Sequence, residues 1–224
     1  MCTVSYLPLA QGQYVLTASR DEHKTRPKAL PPQAHALADP TYPQDPKGGG
    51  TWFAAAADGR TATLLNGAFA PYTPADNYRH SRGLVPLAAL SYATVAAFIQ
   101  AYPLEGLAPF TLILVAPQAL ETLHWTGQTL HHIQPDPGQP HIWSSATLYS
   151  PQAQDLRREW LAQWLAAPAP DPAAHLLDFH LQQQPHVAPH LRLRMETATH
   201  ATVSVSQRAW RQPEPALHYL DLCP

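Results

Sequence analysis

Cys2 is the residue whose type and position most directly suggest chemistry. Removal of an initiating methionine is compatible with a small second residue, and it leaves Cys2 with a free α-amine beside its thiol. An α-amine titrates at about 7.7–8.0, so about a tenth or more is neutral at pH 7. Such an amine can accept the proton of its own thiol, which makes one residue both nucleophile and base. The competing reading is a small buried residue on a first strand.

Residues 2–7 (CTVSYL) and 13–19 (QYVLTAS) read as two strands, rich in β-branched and aromatic residues, with a turn from Pro8 to Gly12. If they pair as a hairpin, the end of the second strand, Ser19-Arg20-Asp21-Glu22, lies beside Cys2. One of Arg20 and Asp21 then shares the face of Cys2, and the register decides which. A carboxylate there would hold and orient an α-ammonium, whereas an arginine would favour thiolate over thiol. A solvated charged turn is the alternative.

Further along, residues 23–50 are polar and proline-rich and read as a long loop ending in Gly48-Gly49-Gly50. Residues 51–57 and 60–66 read as a hairpin around Asp58-Gly59. A second loop covers 67–83. Apolar spacing after Pro86 predicts a helix over 86–101. Residues 110–116 form a buried strand, and 120–125 with 128–133 another hairpin around Thr126-Gly127. Ser150 as cap and Pro151 as first residue start a helix over 151–166, with Leu156, Trp160 and Trp164 on one stripe. Asp171 and Pro172 start another over 172–184. Residues 191–197, 201–206 and 216–221 alternate as closing strands. This order of strands and helices predicts a layered α+β domain.

Composition narrows the function classes. Hydrophobic residues make up 45% and charged residues only 13%, which excludes global disorder. A net charge of −2 gives no electrostatic reason to expect nucleic acid or an anionic membrane surface as partner. No apolar run approaches the roughly 18 residues of a transmembrane helix, and the N-terminal residues lack the pattern of a secretory signal. Cytoplasmic residence is therefore the expectation. Oligomeric state is not legible.

The remaining candidates are fewer. Gly49 and Gly50 could let backbone approach a ligand, or simply end a loop. Trp52 could wall a pocket, or belong to the core. The chain has 13 histidines, but adjacent His131 and His132 point to opposite faces of a strand. His186 and His190 are separated by prolines, so no metal site is expected. Cys223 stands near the end of the sequence and is expected to be exposed.

Taken together, Met1-Cys2, Arg20-Asp21-Glu22, Arg26-Pro27, Gly49-Gly50-Thr51-Trp52, Asn66, Ser81-Arg82-Gly83 and the Phe110-led strand resemble the NRDE proteins, the transport and Golgi organization family. The match covers most of residues 1–116 and is weak afterwards. The resemblance implies an N-terminal nucleophile (Ntn) hydrolase fold in one domain over 1–224: α+β, a four-layer αββα sandwich of two mainly antiparallel sheets. More distantly the chain is similar to penicillin V acylases and bile salt hydrolases, which cleave amides with an N-terminal cysteine. What this implies is Cys2 as nucleophile, its amine as base, Arg20 and Asp21 as the supporting pair, and Asn66 as an oxyanion donor. The implied substrate is a small-molecule amide or acyl compound, with no cofactor.

The chain departs from the family pattern in three places. The name-giving Asn is Ser19. A mid-chain Ser-Asn pair is Ser144-Ser145. The segment Thr197-Ala198-Thr199-His200-Ala201 lacks an arginine that related sequences carry, although Arg192 and Arg194 lie just before it. These departures favour a second reading, a non-catalytic carrier of haem or of acyl-CoA or lipid on the same scaffold. A third reading, a peripheral membrane factor, finds no lipidation motif, basic patch or amphipathic anchor.

Overall fold

The computed structural model describes residues 3–34, 40–167, 169–211, 213 and 215–223. In chain order its elements are β1 (Thr3–Pro8), β2 (Tyr14–His23), β3 (Leu30–Ala34), β4 (Thr41–Gln44), β5 (Phe53–Ala55) and β6 (Thr61–Asn66). There follow α1 (Val85–Ser91), α2 (Val95–Ala101), β7 (Phe110–Ala116), β8 (Ala119–Trp125), β9 (Leu130–Ile133) and β10 (His141–Ser144). The last are α3 (Pro151–Leu165), α4 (Pro172–Leu181), β11 (His200–Trp210) and β12 (Ala216–Asp221). They fall into two compact units, residues 1–26 with 137–224, and residues 27–136.

The first unit is an antiparallel sheet in the order β10-β1-β2-β11-β12, with α3 and α4 on one face. Its β1–β2 hairpin turns through Gln11 and Gly12, both in the left-handed region, and its register pairs Thr3 with Ser19 and Pro8 with Tyr14. β10 pairs with the other edge of β1, setting Ser144 opposite Thr3. Along β2, Val15, Thr17, Ser19 and Asp21 face the helices, while the alternation of the strand turns Leu16, Ala18 and Arg20 the opposite way. Val15 packs with Leu161, Leu176, Phe179 and Ala209 in an apolar core. β2 outruns β1 and pairs with β11 up to His23–His200, with a bulge between Thr202 and Ser204. That bulge lies opposite Asp21 and Arg20, and bulges of this kind re-aim side chains.

The second unit is a seven-stranded antiparallel sheet in the order β3 to β9. α1 packs on β5 and β6 and buries Val85, Ala89 and Leu90, and α2 lies beside α1 with Phe98 buried against Tyr92 and Tyr102. The Asp58-Gly59 hairpin forms as expected, Gly59 taking φ 90°.

Several elements differ from the sequence expectation. The segment 23–50 is not all loop: it contains β3 and β4, whose Pro31, Pro32 and Pro43 mask the strand pattern. β3 is an edge strand, where proline costs least. The helix over 86–101 is two helices, because Thr94 leaves the helix and caps the second one by accepting from Ala97 N. The 172–184 helix stops at Leu181. Residues 191–197 form no strand, only a bridge between Glu196 and Ala201. Leu193 and Met195 are buried, but their N–H groups donate to the side chains of Gln184 and Thr202 rather than to a ladder. β10 had no counterpart in the sequence reading. In α3 the caps hold and Trp160 and Trp164 of the predicted stripe pack against the core, but the fully buried row is Ala153, Arg157 and Leu161, and Leu156 is exposed.

Candidate active site

Cys2 lies outside the described residues. The nearest described backbone is Thr3, paired on one side with Ser19 and on the other with Ser144. Arg20 and Ser145 are the next residues beyond these two pairs. Both are buried, Arg20 to 4% exposure. Arg20 reaches Glu22 at 3.5 Å, which supplies a counter-charge for a guanidinium otherwise costly to bury. Close by, Tyr219 has its phenol pushed above the ordinary range by burial, opposed by Ser204 and by the Arg20 guanidinium.

Asp21 is 2% exposed and sits on the helix side of the sheet. The Tyr149 hydroxyl donates to its Oδ2 at 2.7 Å and the Thr202 hydroxyl to its Oδ1 at 2.5 Å. The Tyr149 ring lies under the Arg157 guanidinium, whose Cζ is 3.6 Å from the ring centroid. Arg157 is fully buried and donates to the carbonyls of Ala153 and Arg192.

Ser19 turns toward α4. Its Oγ lies 2.7 Å from His180 Nδ1, and Ser5 Oγ lies 2.9 Å from Nε2 of the same ring. His180 is fully buried, and its pKa falls to about 3 through desolvation first and the Arg157 charge second. The ring is therefore neutral at physiological pH. With one N–H and one lone pair, it joins β1 to β2 through both serines.

The other site candidates belong to the second unit. Asn66 ends β6 opposite Phe110. Trp52 is buried, and its carbonyl accepts from Leu64 N and from the Thr63 hydroxyl. The glycines shape a tight local turn, which Asp45 closes by accepting from Gly48 N and Gly49 N. Gly50 packs so tightly on Gly83 that a Cβ would sit 2.3 Å from its carbonyl carbon. Gly50→Ala is therefore expected to cost about 3 kcal/mol, because backbone cannot move aside as a side chain can. Gly49→Ala, at φ 68° with open space around it, should cost only about 1 kcal/mol. Urea unfolding of both variants checks the ranking; equal losses would contradict it.

Sequence reasoning missed Tyr149, Arg157, His180 and Thr202. The spacing of Ala173, Leu176 and His180 places the histidine on the buried stripe of α4, a signal present in the sequence. Arg157 had a similar signal, between Ala153 and Leu161.

The model of the family described as "Transport and Golgi organisation 2" matches residues 1–209. The chain belongs to this family. No curated protein sequence matches it. Among solved structures, the N-acylethanolamine-hydrolyzing acid amidase ortholog of Caenorhabditis elegans aligns over 95% of this chain and 94% of its own, at 9% identity and TM-score 0.55. A cysteine-to-alanine variant of conjugated bile acid hydrolase from Clostridium perfringens aligns over 99% and 92%, at 9% identity and TM-score 0.50. Penicillin V acylase from Agrobacterium tumefaciens aligns over 99% and 86%, at 11% identity and TM-score 0.47. The family member thus has the α+β Ntn-hydrolase fold, with two antiparallel sheets and four α-helices among the described residues. No described helix in it is long and apolar enough to cross a membrane.

Proposed function

We propose that the protein is a cysteine N-terminal nucleophile hydrolase that cleaves a linear amide bond after removal of Met1. The reading rests on one observation above all. The register of β1 pairs Thr3 with Ser19 on β2 and with Ser144 on β10, and Arg20 and Ser145 are the residues that follow these two partners. Family membership and fold support the reading, and the two better-aligned neighbours are named as hydrolases of N-acylethanolamine and of conjugated bile acids.

In this reading the Cys2 amine takes the thiol proton and the sulfur attacks the amide carbonyl. A C–S bond forms and the carbonyl oxygen becomes an oxyanion. Asn66 is the side-chain donor to that charge in this reading. The C–N bond then breaks as the ammonium protonates the leaving amine. Water, deprotonated by the same amine, hydrolyses the thioester and frees the sulfur. Arg20 favours the thiolate electrostatically. Asp21 holds the ammonium.

Hydroxylamine tests the thioester directly. With a panel of N-acyl amides as substrates, hydroxylamine should divert the acyl group to a hydroxamate at the expense of free acid. Turnover without any hydroxamate would argue against a covalent intermediate. Neither product across the panel would leave the haem or acyl-CoA carrier as the better reading.

A further inference from the structure

Asp21 is gripped from the helix layer by a chain of groups that ends on the buried cation of Arg157. This arginine, on the buried stripe of α3, places its guanidinium flat on the Tyr149 ring. Two backbone carbonyls, Ala153 and Arg192, anchor it there. A desolvated cation over an aromatic face fixes the ring as well as attracting it. Tyr149 is fixed a second time through its backbone, which donates to Ser145 O at 3.0 Å, while Gln154 Nε2 donates to Tyr149 O. The turn from Ser145 to Tyr149 therefore links the end of β10 to the phenol that meets Asp21. The phenol and Thr202 donate to different carboxylate oxygens. One donor on each oxygen sets the plane of the carboxylate as well as its position.

We propose that Tyr149, braced by Arg157, is a positioning residue that aims the Asp21 carboxylate at the α-ammonium of Cys2. The proposal rests on the N-terminal nucleophile reading above. Held there, the ammonium stays beside the sulfur and favours thiolate. The two donors come from different elements: Thr202 from the bulged strand β11, Tyr149 from the turn before α3. Loosening either donor lets the carboxylate rotate, and small misplacements of this kind cost up to about 100-fold in rate.

The probe is iodoacetamide, with labelling at Cys2 and Cys223 followed separately by peptide mapping at pH 7. Cys223, half-buried after β12 with its thiol on the Val203 carbonyl, serves as the internal reference for Tyr149→Phe. In the wild-type protein Cys2 should label much faster than Cys223. Tyr149→Phe removes a single oxygen and should slow Cys2 about 10-fold with no change at Cys223. Thr202→Val should slow Cys2 similarly through the other carboxylate oxygen, with an added loss of stability because Met195 N–H loses its acceptor. The deciding measurement is a double-mutant cycle. If Tyr149 acts through Asp21, Tyr149→Phe in an Asp21→Asn background slows Cys2 no further. Fully additive effects, or a Tyr149→Phe protein that labels like wild type, overturn the positioning role while leaving the nucleophile intact. A general loosening of the fold would instead speed labelling at Cys223 and also overturns it. A wild-type Cys2 no faster than Cys223 removes the nucleophile reading itself, and this proposal with it.

Discussion

Cys2→Ala should lower amide turnover by about a thousandfold or more, because removing the group that forms the covalent intermediate leaves only binding and oxyanion stabilisation. Alanine is also small, so Met1 removal and the α-amine are retained, and the variant deletes the thiol alone. Folding should survive. The described ladder of β1 uses backbone groups from Thr3 to Pro8, and the core of this sheet is built from Val15, Leu161, Leu176 and Phe179. Stability should therefore shift by no more than about 1 kcal/mol, as expected of a substitution that opens no large cavity. Thermal unfolding measures that shift. Cys223→Ala is the matched control, and its turnover should equal that of wild type. Turnover retained in Cys2→Ala would remove the nucleophile.

Acid should destabilise the protein steeply, and His180 should be the main cause. Its pKa is about 3 in the fold against 6.5 in an unfolded chain. Between these values the unfolded state binds a proton that the folded state refuses, so stability rises with pH. The contribution is complete above about pH 6.5 and is lost progressively as pH falls toward 3. At about 1.4 kcal/mol per unit, the full loss is on the order of 5 kcal/mol. The groups around the ring allow no relief. Ser5 and Ser19 occupy its two nitrogens, Phe179 packs edge-on, and the Arg157 charge repels an imidazolium. His124, lowered to about 4 chiefly by desolvation and then by His131, acts in the same direction, more weakly because water reaches it. His180→Gln keeps a donor and an acceptor but cannot titrate. It should be less stable at pH 7, yet its stability should change less with pH, by about 1.4 kcal/mol per unit between about pH 6.5 and 4. Urea unfolding across that range measures the slope, and an unchanged slope would contradict the assignment.

How much of this was readable beforehand depended on the range of the interaction. The β1–β2 hairpin is local, so the placement of Arg20 and Asp21 at the end of β2 followed from turn and strand chemistry. Which of them faces which way did not, because a shift of one residue reverses every side chain. The observed register, Thr3 with Ser19, sends Arg20 to one face and Asp21 to the other. Ser19 could be recognised as a departure from the family pattern, but its partner His180 is 161 positions away. Caps at Ser150 and Asp171 were legible for the same reason the hairpin was: each is decided within three residues. On α3, Trp160 and Trp164 of the predicted stripe do pack on the core, but the buried row carrying Arg157 is hidden because Leu156, Trp160 and Trp164 look more apolar. A buried arginine held by carbonyls and an aromatic ring leaves no hydrophobic signature. The proline-bearing strands β3 and β4 hid behind composition. The family resemblance identified the fold from residues 1–116. It did not identify the Tyr149–Asp21 contact, which joins that part of the chain to the rest.

The most direct test of the central claim is the intact mass of the purified protein before and after brief alkylation, with peptide mapping of the modified cysteine. An armed N-terminal nucleophile predicts a chain lacking Met1 and rapid, selective labelling at Cys2, with Cys223 lagging behind. A chain that retains Met1, or a Cys2 that stays unlabelled while Cys223 reacts, would contradict it.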